Sequence, residues 1–287
     1  MFAQFAHHLA LLNHKSDAQR RDSLAHLTSS LLASTSLPQP AATILPKVQP
    51  LLLDSSSAVR SQCVKFLEAV PQTDVCDNAE KLLLYGRAAL THLSPRVRRT
   101  GLDVLEWLLN VAGPQVVSCA GGWTRTILCL LALLGWSVPG NPKSDRGWTA
   151  VSQSGGVKSE EDTKTRIQQL QVLTHLLETG LIDKKRRTRR VEEVVDMNAD
   201  WPLRQWQQHR VPSRNNPYAY LNLHGEMGAE PDDTCPDYDD RLRVFELSSI
   251  EVRKGVETAK KEGGGIGRAA VRLDKVMTSI YHDGSMM

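Results

Sequence analysis

Adjacent histidines open the chain, in "FAHHLALLNHK" (residues 5–15), and His26 follows a short way on. Imidazoles hold zinc when four ligands converge on a tetrahedron. Neighbouring residues of a helix point to different faces, however. No cysteine or carboxylate completes a set around His7, His8, His14 and His26, so no metal site is read there. "HGE" (224–226) has the H-x-E of zinc deaminases, but that chemistry also needs P-C-x-x-C, and the chain offers only "TCPDYD". "GGGIGR" (263–268) could cradle a phosphate with its backbone N–H groups. It lacks the Lys-Ser/Thr and the preceding strand of a P-loop, and reads as a flexible helix break. No G-x-S-x-G, H-E-x-x-H or papain-like cysteine context is present. The expectation is a chain that is not an enzyme and holds no cofactor.

What remains is binding chemistry. "KKRRTRR" (184–190) sets Lys184, Lys185, Arg186, Arg187, Arg189 and Arg190 within seven positions. Such a run serves nuclear import or phosphate contact, or is simply a solvated helix end, with Glu192 and Glu193 following. Beyond it, "WPLRQWQQHRVPSRNNPYAYLNLHG" (201–225) scatters Trp201, Trp206, Tyr218 and Tyr220 among Pro and Asn. These aromatics could stack on RNA bases. The interleaved Pro and Asn favour instead an extended segment that anchors in a pocket of a partner protein.

The elements that position these segments are helices, and one helix is written three times. "DAQRRDSLAHL" (17–27), "SAVRSQCVKFL" (57–67) and "PRVRRTGLDVL" (95–105) align at fixed offsets. Arg20, Arg60 and Arg98 coincide, as do Leu24, Val64 and Leu102, and then Leu27, Leu67 and Leu105. Each string follows a capping serine: Ser16, Ser56 or Ser94. Apolar residues recur at three and four, so each string is an amphipathic helix. Other apolar helices lie between them, over about 2–12, 41–53 and 78–93. A helix pair every ~40 residues is the period of HEAT and armadillo repeats, whose pairs bury their faces by stacking. The three arginines fall in the first turn of the second helix. There a guanidinium can reach the turns of adjacent repeats and tie the stack, so they read as structural.

The fold expected is therefore all-α, a HEAT/armadillo-like α-solenoid with an irregular C-terminal extension. Aromatics at only 5% of residues fit helices packed with Leu and Ala rather than a β-sandwich. Residues 1–136 read as the helical repeats, the fourth unit broken at the Gly-Gly pair (Gly121 and Gly122) of "GPQVVSCAGGWTRTILCLLALLGW". Its helix from about Trp123 is apolar all round and must be covered. Residues 137–164, rich in Gly, Ser, Pro and charge, read as a disordered insertion. Residues 165–181 read as the closing helix of the solenoid. Residues 182–287 form a basic, then acidic extension with one or two helices, over about 241–261 and 268–280.

Charge follows the same divisions. Residues 1–140 carry twelve Lys/Arg against nine Asp/Glu, 141–190 eleven against six, and 191–287 twelve against seventeen. The five cysteines show no C-x-x-C and read as reduced, buried thiols of an intracellular protein. No secretory signal opens the chain, and its longest apolar run, 127–134, is far short of the ~20 residues a membrane span needs. A soluble protein is expected.

These strings carry a resemblance. "FAHHLALLNHKSDAQRRDSLAHLTSSL", "LLLDSSSAVRSQCVKFLEAV", "HLSPRVRRTGLDVLEWLL" and "SCAGGWTRTILCLLALLGW", in that order, resemble the fungal pre-rRNA-processing Ipi-one family, related to animal testis-expressed protein ten. The likeness covers residues 2–136 well and 165–181 fairly. It implies a non-enzymatic solenoid subunit of a Rix complex in the nucleus (nucleolus and nucleoplasm). Its implied partners are a Rix-one-type helical subunit and an Ipi-three-type WD-repeat subunit. It further implies action on precursors of the large ribosomal subunit, removal of the second internal transcribed spacer, and work with the AAA ATPase midasin. The resemblance also implies a lysine-rich tail ahead of the "FAHHL" helix. Here Met1 stands at that helix, which leaves "KKRRTRR" as the visible import candidate. Direct contact of 184–190 and 201–220 with pre-rRNA is the alternative reading.

Overall fold

The Leu, Ala and Val spacing is realised as helices among the described residues. A computed structural model describes residues 2–33, 39–136, 160–182 and 234–284, and among them there is no strand. Eleven α-helices are described: α1 Phe2–Leu11, α2 Asp17–Leu32, α3 Ala41–Val48, α4 Ser57–Glu68, α5 Gln72–Asp77, α6 Ala79–Leu90, α7 Pro95–Ser118, α8 Thr124–Leu134, α9 Glu160–Leu181, α10 Tyr238–Glu262 and α11 Gly264–Gly284. A 3-10 turn, Gln49–Leu53, continues α3, where Pro46 and Pro50 interrupt the backbone donors. All of these helices belong to one compact unit, Met1–Leu181 with Asp233–Met287.

The unit is a HEAT-like stack. The helices α2, α4 and α7 start from Ser16, Ser56 and Ser94 in the extended conformation of an N-cap. They pack in sequence, α2 on α4 and α4 on α7, while α1 and α6 cover α2 and α7. The aligned Leu27, Leu67 and Leu105 lie in the seam and are 0, 0 and 1% exposed. Close approach is built in at Gly101, where a Cβ would stand 2.8 Å from the Leu90 nitrogen of α6.

Several boundaries differ from the sequence reading. The Gly-Gly break falls between α7 and α8, with Gly121 at φ 64°, but the helix before it is longer than read. α7 runs on to Ser118 with a kink at Ala112 (φ −132°, ψ 34°), beside the missing donor of Pro114. Residues 160–164 are not part of the insertion, since those residues open α9. Glu160, Glu161 and Asp162 favour the positive end of a helix, and Glu161 pairs with Arg99 of α7 at 2.6 Å. Residues 165–181 are not the closing helix. Both α10 and α11 follow and pack on α9, so the two helices expected over about 241–261 and 268–280 are present, longer at both ends, and belong to the stack. The "GGGIG" run breaks the helix for one residue, Gly263 (φ 71°). The next four residues are already in α11, and Gly265 leaves room for Ile167 of α9, whose Cδ1 would be 2.7 Å from a Cβ there.

Candidate functional site

Each repeat arginine closes the turn that precedes its own helix. Arg20 Nη1 donates to the carbonyls of His14 (2.8 Å) and Lys15 (3.0 Å). Arg60 Nη1 donates to those of Asp54 (2.6 Å) and Ser55 (3.0 Å). Arg98 Nη1 donates to those of His92 (3.0 Å) and Leu93 (2.9 Å). The acceptors stand six and five residues back in every case. The turn is tightened from the other side as well. The N–H of Ser16 donates to His14 Nδ1, that of Ser94 to His92 Nδ1, and that of Ser56 to Asp54 Oδ1, at 3.0, 3.0 and 2.8 Å.

Two of the arginines also reach the next repeat. Arg20 Nη2 pairs with Asp54 at 2.8 Å, and Arg60 Nε donates to Thr100 at 3.2 Å. Arg60 is only 3% exposed. Burial pulls its guanidinium below the usual range, Asp54 opposes that shift and Arg96 adds to it. A guanidinium stays charged through such a shift, so the stack carries a buried cation held by carbonyls.

A fourth copy of this turn lies where the sequence reading did not look for one. Arg241 Nη1 donates to the carbonyls of Cys235 (3.0 Å) and Pro236 (2.6 Å), again six and five residues back. Asp237 occupies the N-cap in place of serine. The signal was available: a cap residue four positions before an arginine, then Phe245 four positions on, at the place of Leu24 and Leu102.

The covering of α8 involves two tryptophans. Trp123 is fully buried, its Nε1 donates to the Arg241 carbonyl at 2.9 Å, and its ring lies on Gly180 of α9. At the other end, Trp136 lies on Gly255 of α10. A Cβ at either glycine would stand 2.2 Å from the ring. The apolar α8 is thus enclosed by α6, α9 and α10.

Other reactive groups are occupied or buried. His8 stacks on His26 (ring centroids 3.9 Å apart), and His7 meets His8 edge-on at 5.6 Å. Among the described residues no group of three His, Cys, Asp or Glu is placed to hold a metal ion. The five cysteines are free. Burial pushes the thiols of Cys63, Cys119 and Cys129 up, away from the nucleophilic thiolate. No helix among the described residues is long and apolar enough to cross a membrane. Lys184, Lys185, Arg186, Arg187, Arg189 and Arg190, and Trp201, Trp206, Tyr218 and Tyr220, lie outside the described residues, as does "HGE".

Comparison with known proteins finds a family, two relatives and a solved structure to which the chain is similar. A family model, Ipi1_N, described as a Rix1 complex component involved in 60S ribosome maturation, matches residues 73–177. A pre-rRNA-processing protein of Aspergillus fumigatus, ipi1, is 41% identical over 286 residues, covering 96% of this chain and 81% of its own length. Its namesake in Chaetomium thermophilum is 41% identical over 281 residues, covering 96% and 79%. A chain of a solved Rix1–Rea1 pre-60S particle is similar with a TM-score of 0.48 at 18% identity, over 71% of this chain and 80% of that one.

Proposed function

The chain belongs to the Ipi1 family of pre-rRNA-processing proteins, and from that premise we propose that it is a non-enzymatic helical scaffold subunit of a Rix1-type complex. Its role is in pre-rRNA processing and 60S maturation within a pre-ribosomal assembly, and its place of work is nuclear or nucleolar. The observation that carries this is identity of 41% sustained over 96% of the chain. A stack of packed helix pairs fits a role in holding other molecules together.

The partners are a Rix-one-type helical subunit, an Ipi-three-type WD-repeat subunit and the AAA ATPase midasin. The step served is removal of the second internal transcribed spacer. Trp201, Trp206, Tyr218 and Tyr220 anchor a partner protein, since a few large aromatics commonly carry most of a binding energy. Lys184, Lys185, Arg186, Arg187, Arg189 and Arg190 serve import. Arg20, Arg60 and Arg98 hold the scaffold in shape.

The test is affinity purification of the tagged full chain, wild type against Trp201→Ala with Trp206→Ala, with bound proteins and RNA identified. The reading expects the double variant to lose its partner proteins while its helical content is unchanged. Replacing Lys184, Lys185, Arg186 and Arg187 by Ala should reduce nuclear accumulation. Assembly that survives the tryptophan changes while RNA binding is lost, with a steep salt dependence, would overturn the scaffold reading in favour of direct pre-rRNA binding.

A further inference from the structure

The last described helix shows solvent a face of one charge sign. α11 packs on α9 and α10, and it turns Ile266, Ala270, Leu273, Val276, Met277 and Ile280 inward, all buried. Its exposed side chains include Arg268, Val271, Arg272, Lys275 and Thr278. The three cations stand at i, i+4 and i+7, so they form one line about 10 Å long down a single face. Asp274, the acid among the described side chains of α11, lies on the α10 side and pairs with Lys260 at 2.6 Å. Arg272 touches Glu178 of α9 at 3.4 Å and stays 66% exposed. Arg268 and Lys275 make no ion pair among the described residues.

A terminal repeat needs a polar outer face to stay soluble, but either sign serves that need. The exposed face of the neighbouring α10 mixes the two, with Arg243 and Lys254 beside Glu246 and Glu257. A surface of one sign attracts its opposite and repels its own. The apolar content of the face then separates two kinds of anionic partner. A protein interface has an apolar or aromatic centre that carries its energy, and this face offers one valine, Val271. A phosphate backbone needs cations and no such centre, because release of counterions supplies the affinity.

We propose that the outer face of α11, through Arg268, Arg272 and Lys275, binds the phosphate backbone of RNA. The charge pattern calls for a nucleic-acid backbone; that the nucleic acid is RNA rests on the proposed function. The contact is distinct from residues 184–190, which stay unchanged in the test.

The test measures binding of the purified full chain to a labelled RNA duplex of about 20 base pairs by fluorescence anisotropy, at about 50 and about 200 mM salt. Each phosphate contact removed should shrink the loss of affinity between the two salts by about threefold. Arg268→Gln with Lys275→Gln should therefore shrink it by about tenfold, two contacts' worth, with helical content and melting midpoint unchanged. The same two charges taken from α10, in Arg243→Gln with Lys254→Gln, should change it by less than about twofold, since those side chains touch no phosphate. Arg268→Lys with Lys275→Arg keeps both charges and should bind as the parent does. If the α11 pair leaves the salt dependence at the parent's level, or the α10 pair lowers it equally, the face is no RNA contact and the inference fails. It fails too if the α11 pair spares RNA binding but loses a protein in affinity purification, because the face then docks a protein. The assay holds only the chain and RNA, so a failure here leaves the proposed scaffold role standing.

Discussion

Removing the Arg60 guanidinium would strand three acceptors at once: the carbonyls of Asp54 and Ser55 and the hydroxyl of Thr100. Hydrogen bonds to a charged group contribute about 1.5–3 kcal/mol, and buried acceptors left alone cost comparably. Arg60→Ala should therefore lower the unfolding free energy by about 2–3 kcal/mol in urea titrations, with Arg60→Lys recovering only part because an ammonium cannot span the same fork. His8 gives a pH effect of known sign. Burial, then His26, then His7 hold its imidazole below its ordinary value, and its Nδ1 is buried without a hydrogen-bond partner. As pH falls through the ordinary histidine range, near 6.5, the unfolded chain takes up a proton that the folded chain refuses. This part of the stability is thus full above that range and lost below it. Denaturation midpoints at pH 7.5 and 5.5 should converge in His8→Gln, while the parent weakens at the lower pH. Positions of this kind are legible in a sequence as spacings, a cap followed four residues later by arginine. Their acceptors are not, because a carbonyl belongs to every residue and leaves no mark in composition.

At the scale of an element, the covering of α8 rests on two glycines. Overpacking a filled core costs about 1–3 kcal/mol, and a methyl at Gly180 would stand 2.2 Å from the Trp123 ring. Gly180→Ala should lower the urea midpoint accordingly, and far less when Trp123 is shortened to Leu in the same chain. The all-round apolar character of α8 announced that something covers it. Which helices do so could not be read, because Gly180 and Gly255 contribute surface by having no side chain. The same absence hides how short the break at "GGGIG" is, one residue at Gly263. Glycine is a poor helix former, so the run reads as a break. Gly265 is nonetheless helical, since only a bare Cα leaves room for Ile167. The start of α9 was misjudged for a related reason: Glu160 and Glu161 look like linker residues until Arg99 is seen beside them.

For the whole molecule, three arginine turns recur every 38 to 40 residues and so declare a solenoid. The fourth, at Arg241, stands beyond two long stretches, and no period reaches across them. The residues proposed to meet partners were legible only as composition, because a segment without helical or strand period has no internal register from which to place its side chains. The helices stand in file, α1 on α2, α2 on α4, α4 on α7, α7 on α9, and α9 on α11. In such a file each member answers to its immediate neighbours, and the consequence is thermal. Melting should spread across the stack in stages rather than strike it at once, so the enthalpy measured in a calorimeter should exceed the van't Hoff value. The α1–α2 pair, which among the described helices packs on α4, should give up its amide protection before the interior helices α7 and α9 do.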